Sequence, residues 1–318
     1  MPEVDEDKKH TLLKLFRVSS MQDLPAMSGH VQELISLLGN SQATAKDLAH
    51  AILKDYGLTT KVLQVVNSAY YQRNVPVATI SRAVTVVGYT TLRELAVTIA
   101  LFDEFTRAGN NSATALAQLT KNFISATQAR LLVKGKKIRS VLPEEAFLGA
   151  LFHQLGKVVT MVYLPAMYQA VEKEVAKGFS EERAARGILQ NLTFADIGQQ
   201  LAHNWNFSEQ LIDCMLAEPP RPRSAADKRA MLQNLAVFNN RLTEAVTGGN
   251  RLDVEELLYT FGGILGIDQE EAMALVEQSI SQAEEMSDPI RRGLAGLRVR
   301  EHLITVTKQP DGNWQRIS

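Results

Sequence analysis

Apolar residues recur along most of this chain three and four positions apart, the spacing that lays them on one face of an α-helix. Val31, Leu34, Ile35 and Leu38 follow it, and Gly39-Asn40 then supplies a stop. Thr44 to Asp47 has the form of a capping box, in which a threonine hydroxyl takes an orphan amide and an acid sits at the positive helix end. Leu48, Ile52 and Leu53 continue that helix, and Gly57 is expected to end it. Thr59 or Thr60 then opens a helix carrying Val62, Leu63, Val65, Val66 and Ala69. A short helix from Ile80 is closed by Gly88, and Thr91 to Glu94 reads as a second capping box before Leu92, Leu95, Ala96, Ile99, Phe102 and Phe105. A long helix is expected over 114–133, followed by a basic loop over 134–139.

Near the middle, Phe147, Leu148, Leu151, Phe152, Leu155 and Val158 make a wide stripe, and Pro143-Glu144-Glu145 is a helix start. One mostly buried helix is predicted there, with His153 as its titratable group and Gln154 next to it. Ser180 is a cap, Thr193 to Asp196 is another capping box leading to Ile197, Leu201, Ala202 and Trp205, and Ser208 caps a helix with Leu211, Ile212 and Met215. Three prolines in 217–224 exclude helix and mark a linker. Beyond it a helix over 229–246 and two acid-rich helix starts, Asp253 to Glu256 and Asp268 to Glu271, are expected, with 304–317 extended.

No strand alternation or short-period repeat interrupts this pattern, so the class is all-α: a multi-helical bundle with a C-terminal helical extension. We divide the chain into an N-terminal segment (1–19), a first domain (20–216), a Pro-rich linker (217–228), a helical lobe (229–301) and a tail (302–318). The lobe's Leu257, Leu258, Phe261, Ile264, Leu265, Leu275, Val276 and Ile280 need cover, and the first domain is the nearest surface, so docking is expected.

Charge narrows the function classes. Thirty-four basic residues against thirty-five acidic leave a net charge of −1, so no global field favours nucleic acid or an anionic membrane. No apolar run approaches the roughly 20 residues of a spanning helix. The single cysteine, Cys214, excludes an intramolecular disulfide and a Cys-rich zinc site; set among Ile212, Met215 and Leu216, it reads as inert. With a polar N-terminus, a cytoplasmic location is expected. The run Lys134, Lys136, Lys137 and Arg139 is a candidate anion-binding loop, and a solvated turn is the preferred reading because no aromatics interleave with it. Gly135, Gly156 and Gly198 fit no phosphate-cradling pattern.

Several stretches in order, Leu24-Pro25-Ala26-Met27, Lys54 to Leu63, Val66-Asn67-Ser68-Ala69-Tyr70, Ile80 to Gly88, Leu151-Phe152-His153-Gln154-Leu155-Gly156-Lys157 and Ala195 to Leu201, together resemble the HDOD family, a regulatory branch of the HD metal-dependent phosphohydrolase superfamily. The resemblance covers about 20–216, with Asn67, Ser68 and Tyr70 as its signature. It implies a compact helical domain used as an output or scaffolding module in bacterial signalling. Asn67 and Ser68 could form a ligand-contacting corner; satisfying carbonyls at a helix end is the preferred reading.

A phosphohydrolase needs carboxylates and imidazoles converging on a cation that polarises a phosphoryl oxygen and activates water. In the parent superfamily an aspartate follows the helix histidine, where this chain has Gln154. Relatives carry a histidine where Phe194 stands, and others paired histidines where Glu218-Pro219 stands. His10, His30, His50, His203 and His302 show no metal-site spacing. We therefore expect a degenerate site with no metal, no cofactor and no catalytic residue, in a module that binds a signalling protein or a nucleotide-type ligand and neither nucleic acid nor membrane. The alternative is a divergent metal-dependent phosphodiesterase acting on nucleotides or cyclic dinucleotides, its site rebuilt from His153, Asp196 and other acids.

Overall fold

Helix caps fix where each element starts, and burial fixes how it lies. The computed structural model describes residues 6–17, 29–39, 42–67, 77–107, 112–136, 138–205, 207–224, 226–284 and 288–307. The first half runs α1 (Glu6–Phe16), α2 (Gly29–Gly39), α3 (Ala45–Leu53), α4 (Tyr56–Val66), α5 (Ile80–Val87), α6 (Tyr89–Arg107), α7 (Ser112–Lys136), α8 (Pro143–Phe152) and α9 (Leu155–Tyr163). Then come α10 (Pro165–Ala176), α11 (Glu181–Ile188), α12 (Phe194–Asn204), α13 (Glu209–Asp213), α14 (Lys228–Thr247), α15 (Arg251–Leu265), α16 (Gln269–Glu284), α17 (Asp288–Leu297) and α18 (Val299–Thr307). The fold is all-α; no strand occurs among the described residues.

The boxes at Thr44–Asp47 and Thr193–Asp196 are formed, with reciprocal side-chain and backbone bonds at each, and Pro143 sits in the first turn of α8. Other boundaries differ from expectation. Asp55 caps α4 by accepting from the Leu58 amide at 2.9 Å, which places Gly57 and Thr59 inside the helix. A carboxylate cap at the positive end outweighs the intrinsic cost of glycine within the first turn. Gly88 does close α5, at φ +89°, and α6 then begins at once with Tyr89. Thr91 to Glu94 therefore lies within α6, and Glu94 is buried in place of capping anything. Helix α7 continues through Lys136, so Lys134 and Lys136 complement the negative end of a helix and do not lie in a loop. Helix α18 covers residues 304–307, which were expected to be extended.

The long α7 is the central strut. It packs on α6, α8, α14, α16 and α17, so helices beyond the Pro-rich stretch share one apolar core with α8. The seam of α14 with α7 and α8 is strongly polar: Ser125 Oγ donates to Thr243 Oγ1 at 2.8 Å, Lys121 pairs with Glu244 at 2.7 Å, and Asn240 Nδ2 donates to the Ala150 carbonyl at 2.9 Å. Arg130 ties three helices together, donating at 3.0 Å both to Glu94 of α6 and to Gln282 of α16 while lying 5.2 Å from the centre of the Phe147 ring. Taken as one, Pro143–Tyr163 is long and apolar enough to cross a membrane, yet 83% of its most apolar stretch is buried within the protein, so packing accounts for its composition.

Candidate functional site

The predicted single helix over 147–158 is broken at His153-Gln154. His153 is the C-cap of α8 and Gln154 the N-cap of α9, the latter without a side-chain capping bond. A glycine on each side of the break lets a neighbour approach closely. A Cβ on Gly156 would lie 1.9 Å from the Phe194 carbonyl oxygen and 2.6 Å from the Gly198 amide, so α9 and α12 touch backbone to backbone. A Cβ on Gly149 would lie 2.8 Å from Cys214 Sγ, so α8 also packs tightly on the turn after α13, here against a side chain. This second approach carries the Cys214 carbonyl to His153, whose Nδ1 donates to it at 2.5 Å.

That bond fixes the tautomer: Nδ1 bears the proton and Nε2 keeps its lone pair. His153 is only 8% exposed, and burial pushes its imidazole down to about 4, with the Cys214 carbonyl opposing the shift. Cys214 is itself buried, and burial pushes its thiol up, as befits an inert packing residue.

His153 opens onto a cleft of about 360 Å³, lined also by Gln154, Lys157, Glu181, Phe194, Glu218 and Arg241. The resemblance-derived positions His153, Gln154, Phe194 and Glu218 thus converge on one cavity; Pro219 is half-buried beside it and does not line it. Lys157 and Glu181 pair at 2.5 Å. Burial would lower the Lys157 pKa, but the Glu181 and Glu244 carboxylates together outweigh it and hold the ammonium charged. Arg241 belongs to α14 and donates to the Ala217 carbonyl at 2.9 Å. Neither Glu181 nor Arg241 was singled out from sequence. Glu181 was visible only as a first-turn acid, and Arg241 lies beyond the linker and meets a backbone atom, which leaves no side-chain pattern to find.

The donor set does not fit a resident metal ion. Asp196, the acid expected to help rebuild a site, does not line the cleft and is fully engaged: Oδ2 accepts from the Thr193 amide at 2.8 Å and hydroxyl at 2.7 Å, and Oδ1 from Lys8 Nζ at 2.8 Å. Burial alone would raise its pKa; the bonds from Lys8 and Thr193 outweigh that and leave it below the usual carboxylate range. Gln154 and Phe194 bring no charge, Lys157 brings the wrong one, Glu181 and Glu182 are paired with Lys157 and Arg186, Glu218 is exposed, and no group of three or more metal-binding side chains is assembled among the described residues.

The other predicted residues lie elsewhere. Asn67 clamps Val77, its Oδ1 accepting from the Val77 amide at 2.7 Å and its Nδ2 donating to the Val77 carbonyl at 2.8 Å. It thus closes the chain between α4 and α5 and satisfies a distant backbone pair. Ser68 and Tyr70 lie outside the described residues. Lys136 pairs with Glu271 of α16, Lys134 and Arg139 are exposed, Lys137 lies outside the described residues, and none of the four lines the cleft.

Comparison with known proteins agrees with this architecture. A protein from Shewanella amazonensis SB2B, provisionally described as a phosphohydrolase, superposes with a TM-score of 0.65 at 22% identity, over 92% of this chain and 98% of its own. An HDOD domain protein from Geobacter sulfurreducens gives a TM-score of 0.60 at 20% identity, over 94% and 98% respectively. One from Marinobacter aquaeolei VT8, provisionally described as a signal transduction protein, gives 0.63 at 21% identity over 92% of this chain and 65% of that one. In sequence, an uncharacterized protein of Treponema pallidum (strain Nichols) is 23% identical over 272 residues, and the match spans 51% of that longer protein. The profile of the HDOD domain matches residues 24–219, and the chain belongs to the HDOD domain family.

Proposed function

We propose that this chain is a non-catalytic bacterial signal-transduction module that acts by binding a signalling protein or a small ligand. The observation that carries this reading is the state of the cleft at His153: of its lining acids Glu181 is committed to Lys157 and Glu182 to Arg186, Glu218 is exposed, and the Lys157 ammonium stands inside it. A divalent cation brought there would meet one neutral imidazole, an amide, a fixed positive charge and, apart from the exposed Glu218, carboxylates already paired with Lys157 and Arg186, which is poor company for an ion that must be charge-compensated. The signalling name given to the Marinobacter relative is consistent with this reading, and the phosphohydrolase name given to the Shewanella relative keeps the divergent phosphodiesterase as the alternative.

Elemental analysis of the purified chain after growth with added Mn²⁺, Fe²⁺ and Zn²⁺ separates the two. The module reading expects far less than one metal per chain. One tightly held metal per chain, lost in His153→Ala while the variant stays folded, would overturn it.

A further inference from the structure

Three helices begin at the same cleft. Gln154, Ser180 and Thr193, the N-caps of α9, α11 and α12, all line it, and each helix is at least eight residues long. Each start presents the positive end of a helix dipole and amides without intrahelical partners. In α11 and α12 a cap hydroxyl accepts from the third amide of the helix, whereas α9 has no side-chain cap. Helix starts alone do not make a site. A second observation is independent of them: His153 is more than nine-tenths buried and lines the cleft, yet its hydrogen bond runs only through Nδ1, so Nε2 offers an unpartnered acceptor there. Two cations complete the lining, Lys157, which is nearly buried, and Arg241, which reaches in from α14.

The acids of the cleft set how it would be filled. Glu182 pairs with Arg186 at 3.0 Å, and Glu218 is exposed. Glu181 is the carboxylate on Lys157, and with its side chain 40% exposed it is free to turn into water while the lysine, at 11%, is not. An oxyanion supplied by the protein itself is thus already bound to Lys157.

Resting on the signalling reading above, we infer that the cleft is a binding site for a small phosphate monoester taken up in its monoprotonated form: its phosphoryl oxygens replace Glu181 on Lys157 and reach Arg241 and the uncapped start of α9, and the oxygen that keeps the proton donates to His153 Nε2. The acceptor makes the site selective. An anion with no O–H leaves the Nε2 lone pair facing a negative oxygen, whereas a phosphate that retains a proton forms a bond there. Because Arg241 lies outside the segment matched by the family profile, this ligand would also join that segment to α14.

Calorimetric titration of the full chain with inorganic phosphate and with sulfate, at constant ionic strength and about pH 7, tests this, because orthophosphate keeps a proton there and sulfate does not. Saturable phosphate binding is expected, with sulfate weaker by about tenfold or more. Glu181→Gln, which removes the resident competitor, is expected to tighten phosphate binding by about tenfold, and Arg241→Gln, an exposed position that leaves the core intact, to weaken it by a similar factor. Equal affinity for the two anions, or no phosphate binding in either wild type or Glu181→Gln, would overturn the inference. Neither result touches the signalling reading, which falls instead on bound metal and turnover.

Discussion

Burial shifts two groups in opposite directions, and together they hide each other's pH dependence. His153 has a folded-state pKa of about 4 against 6.5 when free, so as pH falls below 6.5 the unfolded chain takes a proton that the folded one refuses, and stability drops. Glu94 is raised from 4.5 to about 7 because its burial outweighs the Arg130 guanidinium beside it; as pH falls below 7 the folded chain takes the proton first, and stability rises. Each slope approaches about 1.4 kcal/mol per pH unit, and between 6.5 and 4.5 the two oppose one another. His153→Asn keeps an N–H for the Cys214 carbonyl but cannot titrate; Glu94→Gln keeps an oxygen for Arg130 but cannot titrate. The stability change between pH 6.5 and 4.5 should therefore differ between the two variants by about 4 kcal/mol, His153→Asn losing less on acidification. Carboxylates held low elsewhere, such as Asp196 and Glu145, add the same acid slope to both and cancel in the comparison. Urea unfolding followed by circular dichroism across that range measures it, and parallel stability curves for the two variants would refute the reasoning.

Gly156→Ala should destabilise the chain by more than about 4 kcal/mol, because the added methyl meets the Phe194 backbone oxygen at 1.9 Å, whereas Gly187→Ala, helical and with nothing within 4 Å, should stabilise it by about 0.5–1 kcal/mol; thermal melts of both give the comparison. Arg130→Met leaves Glu94 buried without its cation and should cost about 3–5 kcal/mol in chemical denaturation, with much of that recovered when Glu94→Leu is added. Asn67→Ala strips two bonds from the Val77 backbone and should cost about 1–3 kcal/mol, seen as a lower denaturation midpoint with metal and phosphate binding unchanged.

The elements legible in the sequence are those whose ends are written locally. Thr44 and Thr193 each bond the acid three residues on, and Pro143 fills a position where no amide is needed. Where a local pattern misled, a longer-range force had settled the matter. Thr91 to Glu94 has the spacing of a capping box, yet Gly88 turns the chain early, α6 starts at Tyr89, and Glu94 answers Arg130 thirty-six residues away. The break at His153-Gln154 is invisible in periodicity because the apolar spacing runs straight across it; it is flanked by close approaches from residues far off in sequence, the Cys214 side chain at Gly149 and the α12 backbone at Gly156. The convergence of His153, Gln154, Phe194 and Glu218 followed from resemblance. The charged half of the cleft did not, since Lys157–Glu181 spans two helices and Arg241 is anchored on a main-chain carbonyl.

A module that only binds performs no phosphoester chemistry in the cleft. Hydrolysis of bis(p-nitrophenyl) phosphate and of cyclic dinucleotides by the full chain with saturating Mn²⁺ tests that directly. The prediction is no turnover above buffer, and no difference between wild type and a folded His153→Asn variant; Mn²⁺-dependent turnover that disappears in His153→Asn would contradict it.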